Sequence, residues 1–319
     1  QIYYAQKEYD ELRSRAELLV KNNPENKNNA EIYRIMGEIA YRKKDYAKAI
    51  GYLKSYEKMY PKVLRNDMYL LGLSYFQLKD YPNAIQYLSK VTTAKDEMTE
   101  NAYLHLGNSY IKTKDINNAR LAYEAALRTK FNSTVREESM FNYALTTYES
   151  NTGFGESISA FEQFLTEFPN SKYRDKAYDY LSSVYLTTKN YEAAYQSISK
   201  ITNPTAGLLE TKQYLLYQIG TEAFTSNNYE KAIDAFTLSL QNSSTGKYSA
   251  ESYFWRSESY FRTKRSTESI KDLKAFFANS YSKSSINKTT ANYSLAYGYF
   301  SQKNYNEALN WFLRYLDAE

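Results

Sequence analysis

The sequence predicts an all-α chain: antiparallel helix pairs stacked into a superhelix, eight full helix–turn–helix units after a truncated first one. Three observations carry this. The stretch Gly37-Glu-Ile-Ala-Tyr-Arg-Lys-Lys-Asp-Tyr-Ala-Lys-Ala-Ile-Gly-Tyr-Leu53, followed by Pro61, returns with drift seven more times. Its apolar positions recur at i, i+3 and i+7, the spacing of one helix face. The 319 residues hold only 10 Gly and 5 Pro and few β-branched runs, which favours helix over strand. An internal repeat also overrides the two-domain estimate that length alone suggests.

The second helix of each unit opens at an anchor: Tyr9, Tyr46, Tyr81, Ile116, Phe154, Tyr191, Tyr229, Ser266 and Tyr305. The anchors are 37, 35, 35, 38, 37, 38, 37 and 39 residues apart. Three positions on stand Leu12, Ala49, Ala84, Ala119, Ser157, Ala194, Ala232, Ser269 and Ala308. Seven on stand Ala16, Leu53, Leu88, Tyr123, Phe161, Ile198, Phe236, Leu273 and Phe312. Pro24, Pro61 and Pro169 stop three of these helices, because proline cannot continue the hydrogen-bond ladder.

The first helix of each unit carries a small residue nine before the anchor: Gly37, Gly72, Gly107, Ser182, Gly220, Ser257 and Ala296. In the fifth unit it is Ala144, ten before Phe154. Glycine inside a helix costs about 1 kcal/mol against alanine. Its recurrence predicts a close approach of the two helices, small residue against small residue. Asp45, Asp80, Asp115, Asn190, Asn228 and Asn304 sit just before their anchors and are expected to cap the second helix. Each unit is then two helices of about four turns.

Tyr4 stands five before Tyr9 as Tyr41 stands five before Tyr46, so the chain is expected to start in the tail of a first helix. We expect 1–319 to be a single solenoid and a segment of a longer chain. Soft joints are expected at Ile201–Gly207, Asn242–Ser249 and Asn279–Thr290.

Composition narrows the chemistry. The net charge of +5 is spread along the chain, unlike the clustered Lys and Arg of a nucleic-acid footprint, so no nucleic-acid partner is expected. No Cys is present, which excludes disulfides and thiolate chemistry. His105 is the only His and is expected to pack, with no partner for a nucleophile–base pair. The expectation is a protein that is not an enzyme, with no cofactor and no metal. No apolar run approaches the ~20 residues of a membrane span.

The pattern resembles the tetratricopeptide repeat (TPR). Large residues stand at Tyr33, Met68, Tyr103, Tyr178 and Tyr253, leucines at Leu71, Leu106 and Leu181, glycines at Gly37, Gly72, Gly107 and Gly220. Tyrosines follow at Tyr75, Tyr110, Tyr185, Tyr260 and Tyr299. The units are longer than the usual repeat of about 34 residues. They resemble the looser TPRs of bacterial envelope proteins, and their Tyr/Asn/Lys-rich style is similar to multi-TPR envelope proteins of Bacteroidetes-type bacteria. The resemblance implies a right-handed solenoid whose first helices line a concave groove. It further implies a protein-binding scaffold in an envelope assembly, periplasmic or outer-membrane-associated.

On that frame the groove positions are Glu31, Arg34 and Glu38, then Tyr69 and Leu73, Asn101 and Asn108, Phe141 and Glu149. Asp179, Tyr214, Tyr217, Phe254, Glu258, Tyr293 and Tyr297 continue the row. Aromatics gather in the C-terminal units and suit an extended peptide, a partner helix or a glycan. Each aromatic has a second reading, as packing between repeats. The expected partner is a protein or peptide; the alternative is a glycan or peptidoglycan stacked on the aromatics. Arg34 and Glu38 occupy the places where the family's carboxylate-clamping repeats carry Lys and Asn, and Glu38 would repel a carboxylate.

Overall fold

The structure is a computed structural model and describes residues 9–22, 26–60, 62–150 and 154–318. It forms two compact units, Gln1–Ser171 and Lys172–Glu319. The first holds α1 (Tyr9–Asn22), α2 (Ala30–Arg42), α3 (Tyr46–Met59), α4 (Arg65–Gln77), α5 (Tyr81–Leu88), α6 (Glu97–Lys112), α7 (Ile116–Leu127), α8 (Ser133–Glu149) and α9 (Phe154–Glu167). The second holds α10 (Arg174–Thr187), α11 (Tyr191–Ser199), α12 (Ala206–Thr225), α13 (Tyr229–Asn242), α14 (Lys247–Arg262), α15 (Ser266–Ala278), α16 (Lys288–Ser301) and α17 (Tyr305–Leu316). Among the described residues there is no strand. Even-numbered helices open a pair and odd-numbered helices close it.

Tyr46, Tyr81, Ile116, Tyr191, Tyr229, Ser266 and Tyr305 are each the first residue of an odd-numbered helix. Tyr9 and Phe154 open the described part of theirs. The six expected caps all function: Asp45, Asp80, Asp115, Asn190, Asn228 and Asn304 each accept a hydrogen bond from the backbone N–H three residues on, at 3.1–3.5 Å. Each cap is worth about 0.5–2 kcal/mol over alanine. Four anchors also pack edge-on against the aromatic ring five residues earlier: Tyr46 on Tyr41, Tyr81 on Phe76, Tyr229 on Phe224 and Tyr305 on Phe300. Tyr4, Pro24 and Pro61, and the side chains of Tyr9 and Leu12, lie outside the described residues.

Seven of the described turns hide a feature the sequence did not announce. Lys44, Lys79, Lys114, Lys189, Asn227, Lys264 and Lys303 stand at φ between 56° and 63°, the left-handed region usually given to glycine. Lys44 N–H donates to Tyr41 O and Asp45 N–H to Ala40 O, closing the first helix in a paired hydrogen-bond clasp that the other six turns repeat. A lysine here carries the left-handed strain, and its ammonium sits at the negative end of the helix it terminates.

The expected contact of small residue on small residue is corrected. A Cβ placed on Gly37 would lie 2.5 Å from Leu53 Cγ, on Gly72 2.6 Å from Leu88 Cγ, and on Gly220 2.5 Å from Phe236 Cε1; Gly107 meets the Tyr123 ring in the same way. The glycine of the first helix is therefore a socket for the large residue seven past the anchor. Leu53, Leu88 and Phe236 are fully buried there. Two second helices, α5 and α11, are shorter than the expected four turns. After Leu88 comes Ser-Lys-Val-Thr-Thr, whose β-branched residues disfavour helix, and Val91 turns inward to full burial. After Ser199, Ile201 does the same ahead of Pro204. The joint expected at Ile201–Gly207 is narrower than drawn, since Gly207 already belongs to the first turn of α12, capped by the Thr205 hydroxyl.

Polar ties link neighbouring repeats where first helices begin. In the first unit the Arg65 guanidinium grips the Asp96 carboxylate and donates to Val91 O at 2.6 Å. Arg136 pairs with Glu167 and donates to Leu127 O at 3.0 Å. The buried Glu100 carboxylate accepts the N–H of Asn132 at 2.8 Å and of Phe131 at 3.2 Å. The buried charge of Glu100 is tolerable because each of its oxygens keeps a hydrogen-bond partner.

Candidate partner-binding face

Successive even-numbered helices touch one another, α2 with α4, α4 with α6 and α6 with α8 in the first unit and α12 with α14 in the second. Helices that approach across a repeat line the inner side of a bent stack, so within each unit they form the face the sequence analysis singled out.

In the first unit that face is mostly tied up. Glu31 clamps Arg34 through two hydrogen bonds, at 2.9 and 2.5 Å, and Glu38 lies 3.9 Å from the same guanidinium. A third carboxylate, Asp67 on α4, is fully buried 3.7 Å from Arg34, and neither oxygen has a hydrogen-bond partner. Burial pushes its carboxyl up to about 6, against the opposing pull of Arg34. Asn108 accepts from the Tyr123 hydroxyl at 2.7 Å and donates to Glu138 at 3.3 Å. The Asn101 carbonyl faces His105 Nδ1 at 2.9 Å. That imidazole packs edge-on to Phe76, and burial holds it below its ordinary range, so it is a neutral packing residue. Glu149 is exposed and Tyr69 half-buried, its phenol pushed up by burial.

Three expected groove residues belong to the interior. Leu73 packs with Ala84, Leu88, Ala102 and Leu106. Phe141 is buried against Phe164. Phe254 is 2% exposed and packs on Phe276 and Trp255. The same repeat positions hold Glu38, Asn108, Tyr217, Glu258, Tyr293 and Tyr297, all with a polar tip that gains from water. A side chain with no such tip turns in.

In the second unit the face is open and aromatic. Tyr214 and Tyr217 are half-buried on α12 and meet Tyr248 at centroid distances of 5.2 and 5.9 Å. Tyr293 and Tyr297 on α16 are 45% and 41% exposed and stack at 6.4 Å. Phe261 packs edge-on to Tyr297. Two carboxylates lie among them. Glu258 accepts from the Ser294 hydroxyl at 2.6 Å, and burial raises its carboxyl. Glu251 accepts from the Asn287 amide at 2.7 Å. Asp179 on α10 is exposed, its carboxyl raised by desolvation. Sequence reasoning missed Tyr248, Glu251 and Phe261. Reading the helix face one turn further in both directions would have found them.

The two cavities of note lie off these residues. One of about 420 Å³ sits over Ser244, Thr245, Gly246, Tyr253 and Asn279, and one of about 260 Å³ over Leu127, Arg136, Met140 and Tyr143. Among the described residues no group of three or more His, Asp or Glu side chains is placed to hold a metal ion. None of the described helices is long and apolar enough to cross a membrane.

Comparison with known proteins follows the same lines. The family model described as "Anaphase-promoting complex, cyclosome, subunit 3" matches residues 5–91, and that described as "Tetratricopeptide repeat" matches residues 100–133. No curated protein sequence matches the chain. Among solved structures it is similar to YrrB, titled a TPR protein with an unusual peptide-binding site, at 17% identity and a TM-score of 0.50, over 62% of this chain and 97% of that one. It is also similar to MamA, at 22% identity and a TM-score of 0.46, over 54% of this chain and 89% of that one. A tetratricopeptide repeat protein from Parabacteroides merdae matches at 14% identity and a TM-score of 0.43, over 93% of this chain and 94% of that one. The spaced anchors, capped turns and glycine sockets, together with the family match over 100–133, make this chain a member of the tetratricopeptide-repeat proteins.

Proposed function

We propose that the chain is a non-catalytic scaffold that holds a partner protein against the even-numbered helices. The observation that carries this is the row of tyrosines on α12, α14 and α16. Tyrosine offers a large flat contact at little conformational cost, and exposed aromatic patches mark interaction surfaces. Glu31, Arg34 and Glu38 on the first unit's face are already engaged with each other, which favours the second unit for binding. A protein segment is favoured over a glycan because the face is an open stripe along several helices, with no walled sugar pocket among these residues. An envelope assembly is the setting the family resemblance implies, and fractionation of the source cell with an antibody to the chain tests it.

The test of the groove is site-specific photocrosslinking in the source cell. A photoreactive residue at Tyr297 is expected to capture a discrete partner band, and one at Lys271 on α15 is not. Tyr217→Ala with Tyr293→Ala should abolish the band. Equal capture from both sites would sink the proposal.

A further inference from the structure

The second unit's inner face has a sign as well as a shape. Four of its rings are not used by the chain's own cations. Among the described residues no Lys or Arg lies over Tyr214, Tyr217, Tyr293 or Tyr297, whereas other rings of this unit are covered: Tyr178 by Arg174 and Lys200, Tyr195 by Lys212, Tyr260 by Arg256 and Arg265. Beside the uncovered rings stand carboxylates. Ser294, which donates to Glu258, is one residue past Tyr293 and one turn before Tyr297, so Glu258 meets α16 on the stretch that carries both rings. Glu251 stands close enough to Tyr217 for its charge to act on the phenol.

The phenols record the resulting field. Burial raises Tyr191, Tyr217 and Tyr248, and the charged side chains that add to the rise are Glu222, Glu251 and Glu210. The cations near the face are few: Lys176 on α10, Lys247 at 5.9 Å over the Tyr248 ring, and Arg262, which offsets Glu258 from the end of α14. A net positive chain thus presents a negative, π-rich strip.

Resting on the scaffold reading above, we infer that this strip takes an extended, cationic segment of the partner protein. Lys or Arg side chains lie over Tyr293 and Tyr297 against Glu258, and over Tyr214 and Tyr217 against Glu251. An ammonium or guanidinium gains both from the ring face and from the carboxylate. Glu251 and Glu258 are seven residues apart on one helix, about 10 Å along its axis at ~1.5 Å per residue. An extended segment in the polyproline II conformation covers that in about three residues at ~3.1 Å each, and its three-residue turn brings positions i and i+3 to the same side. The segment therefore carries cations at i and i+3.

The experiment uses the full chain and three fluorescent twelve-residue peptides that differ only at two positions three apart: Lys, Gln or Glu at both. Fluorescence anisotropy should show the Lys peptide binding at least tenfold tighter than the Glu peptide, with the gap narrowing as salt rises. Glu258→Gln, which keeps an oxygen for the Ser294 hydroxyl, should weaken the Lys peptide about fivefold and leave the Gln peptide unchanged. If the Glu or Gln peptide binds as tightly as the Lys peptide and Tyr297→Ala releases it, the charge inference falls and the scaffold reading stands. If no peptide binds and crosslinking at Tyr297 captures nothing, both fall.

Discussion

Replacing Asp67 by Asn should stabilise the first unit, and increasingly so as pH rises from about 4 to about 6. The Asp67 side chain is fully buried with two unpartnered oxygens, and its one nearby cation, Arg34, is already held by Glu31. Burial, partly offset by Arg34, lifts the carboxyl to about 6 from an ordinary 3.8. A carboxyl raised in the folded state keeps its proton longer than in the unfolded chain. Below pH ~4 both states are protonated and nothing is lost. Between pH ~4 and ~6 the unfolded chain ionises first and stability falls. Above pH ~6 the deficit is constant at about 3 kcal/mol, taking ~1.4 kcal/mol per pKa unit. Asn has the same shape without the charge, and Arg34 keeps Glu31 and Glu38. Repeat arrays need not unfold in one step, so the readout should be local. Hydrogen-exchange protection factors for α2 and α4 serve. Asp67→Asn should raise protection by about 3 kcal/mol at pH 8 and by only about 1 kcal/mol at pH 4.5. Loss of protection at pH 8 would mean that the Asp67–Arg34 contact is net stabilising, and the reasoning would be wrong.

Two further outcomes follow from the packing. Gly72→Val should cost about 1–3 kcal/mol in urea unfolding, because the added carbons occupy the site of Leu88 Cγ; pairing it with Leu88→Ala should recover part of the loss, and a neutral single mutant would refute the socket. Arg256 holds Asp272 in a two-pronged buried pair at 2.6 and 2.8 Å, so Arg256→Met should cost about 3–5 kcal/mol by leaving a buried carboxylate alone. Arg256→Met with Asp272→Leu should restore most of it, as followed by Trp255 fluorescence; a double mutant no better than the single would show that the charge is not the cause.

Much of this architecture is readable in the residue order, and the reason is locality. A helix pair is closed by contacts within about 16 residues: Asp45 on Lys48 N–H, Leu53 in the Gly37 socket, Tyr46 on Tyr41. Six caps, four ring pairs and four glycine sockets that repeat those contacts make the period plain. The glycine's partner was misassigned because spacing gives a helix face and not the depth to which a neighbour reaches. The left-handed lysines were missed because lysine carries no signature of that conformation, as glycine would.

The sequence by itself determined the helix pairs, their capped turns and the family. The tertiary structure alone decided which side chains remain on the inner face. Whether Leu73 or Phe254 turns inward, or Tyr297 outward, depends on residues of another helix that fill or leave the space beside them. Asp67 is the sharpest case. Nothing next to it in sequence marks it as buried, and it becomes so only when α2 brings Arg34 and Glu31 over it from the repeat before.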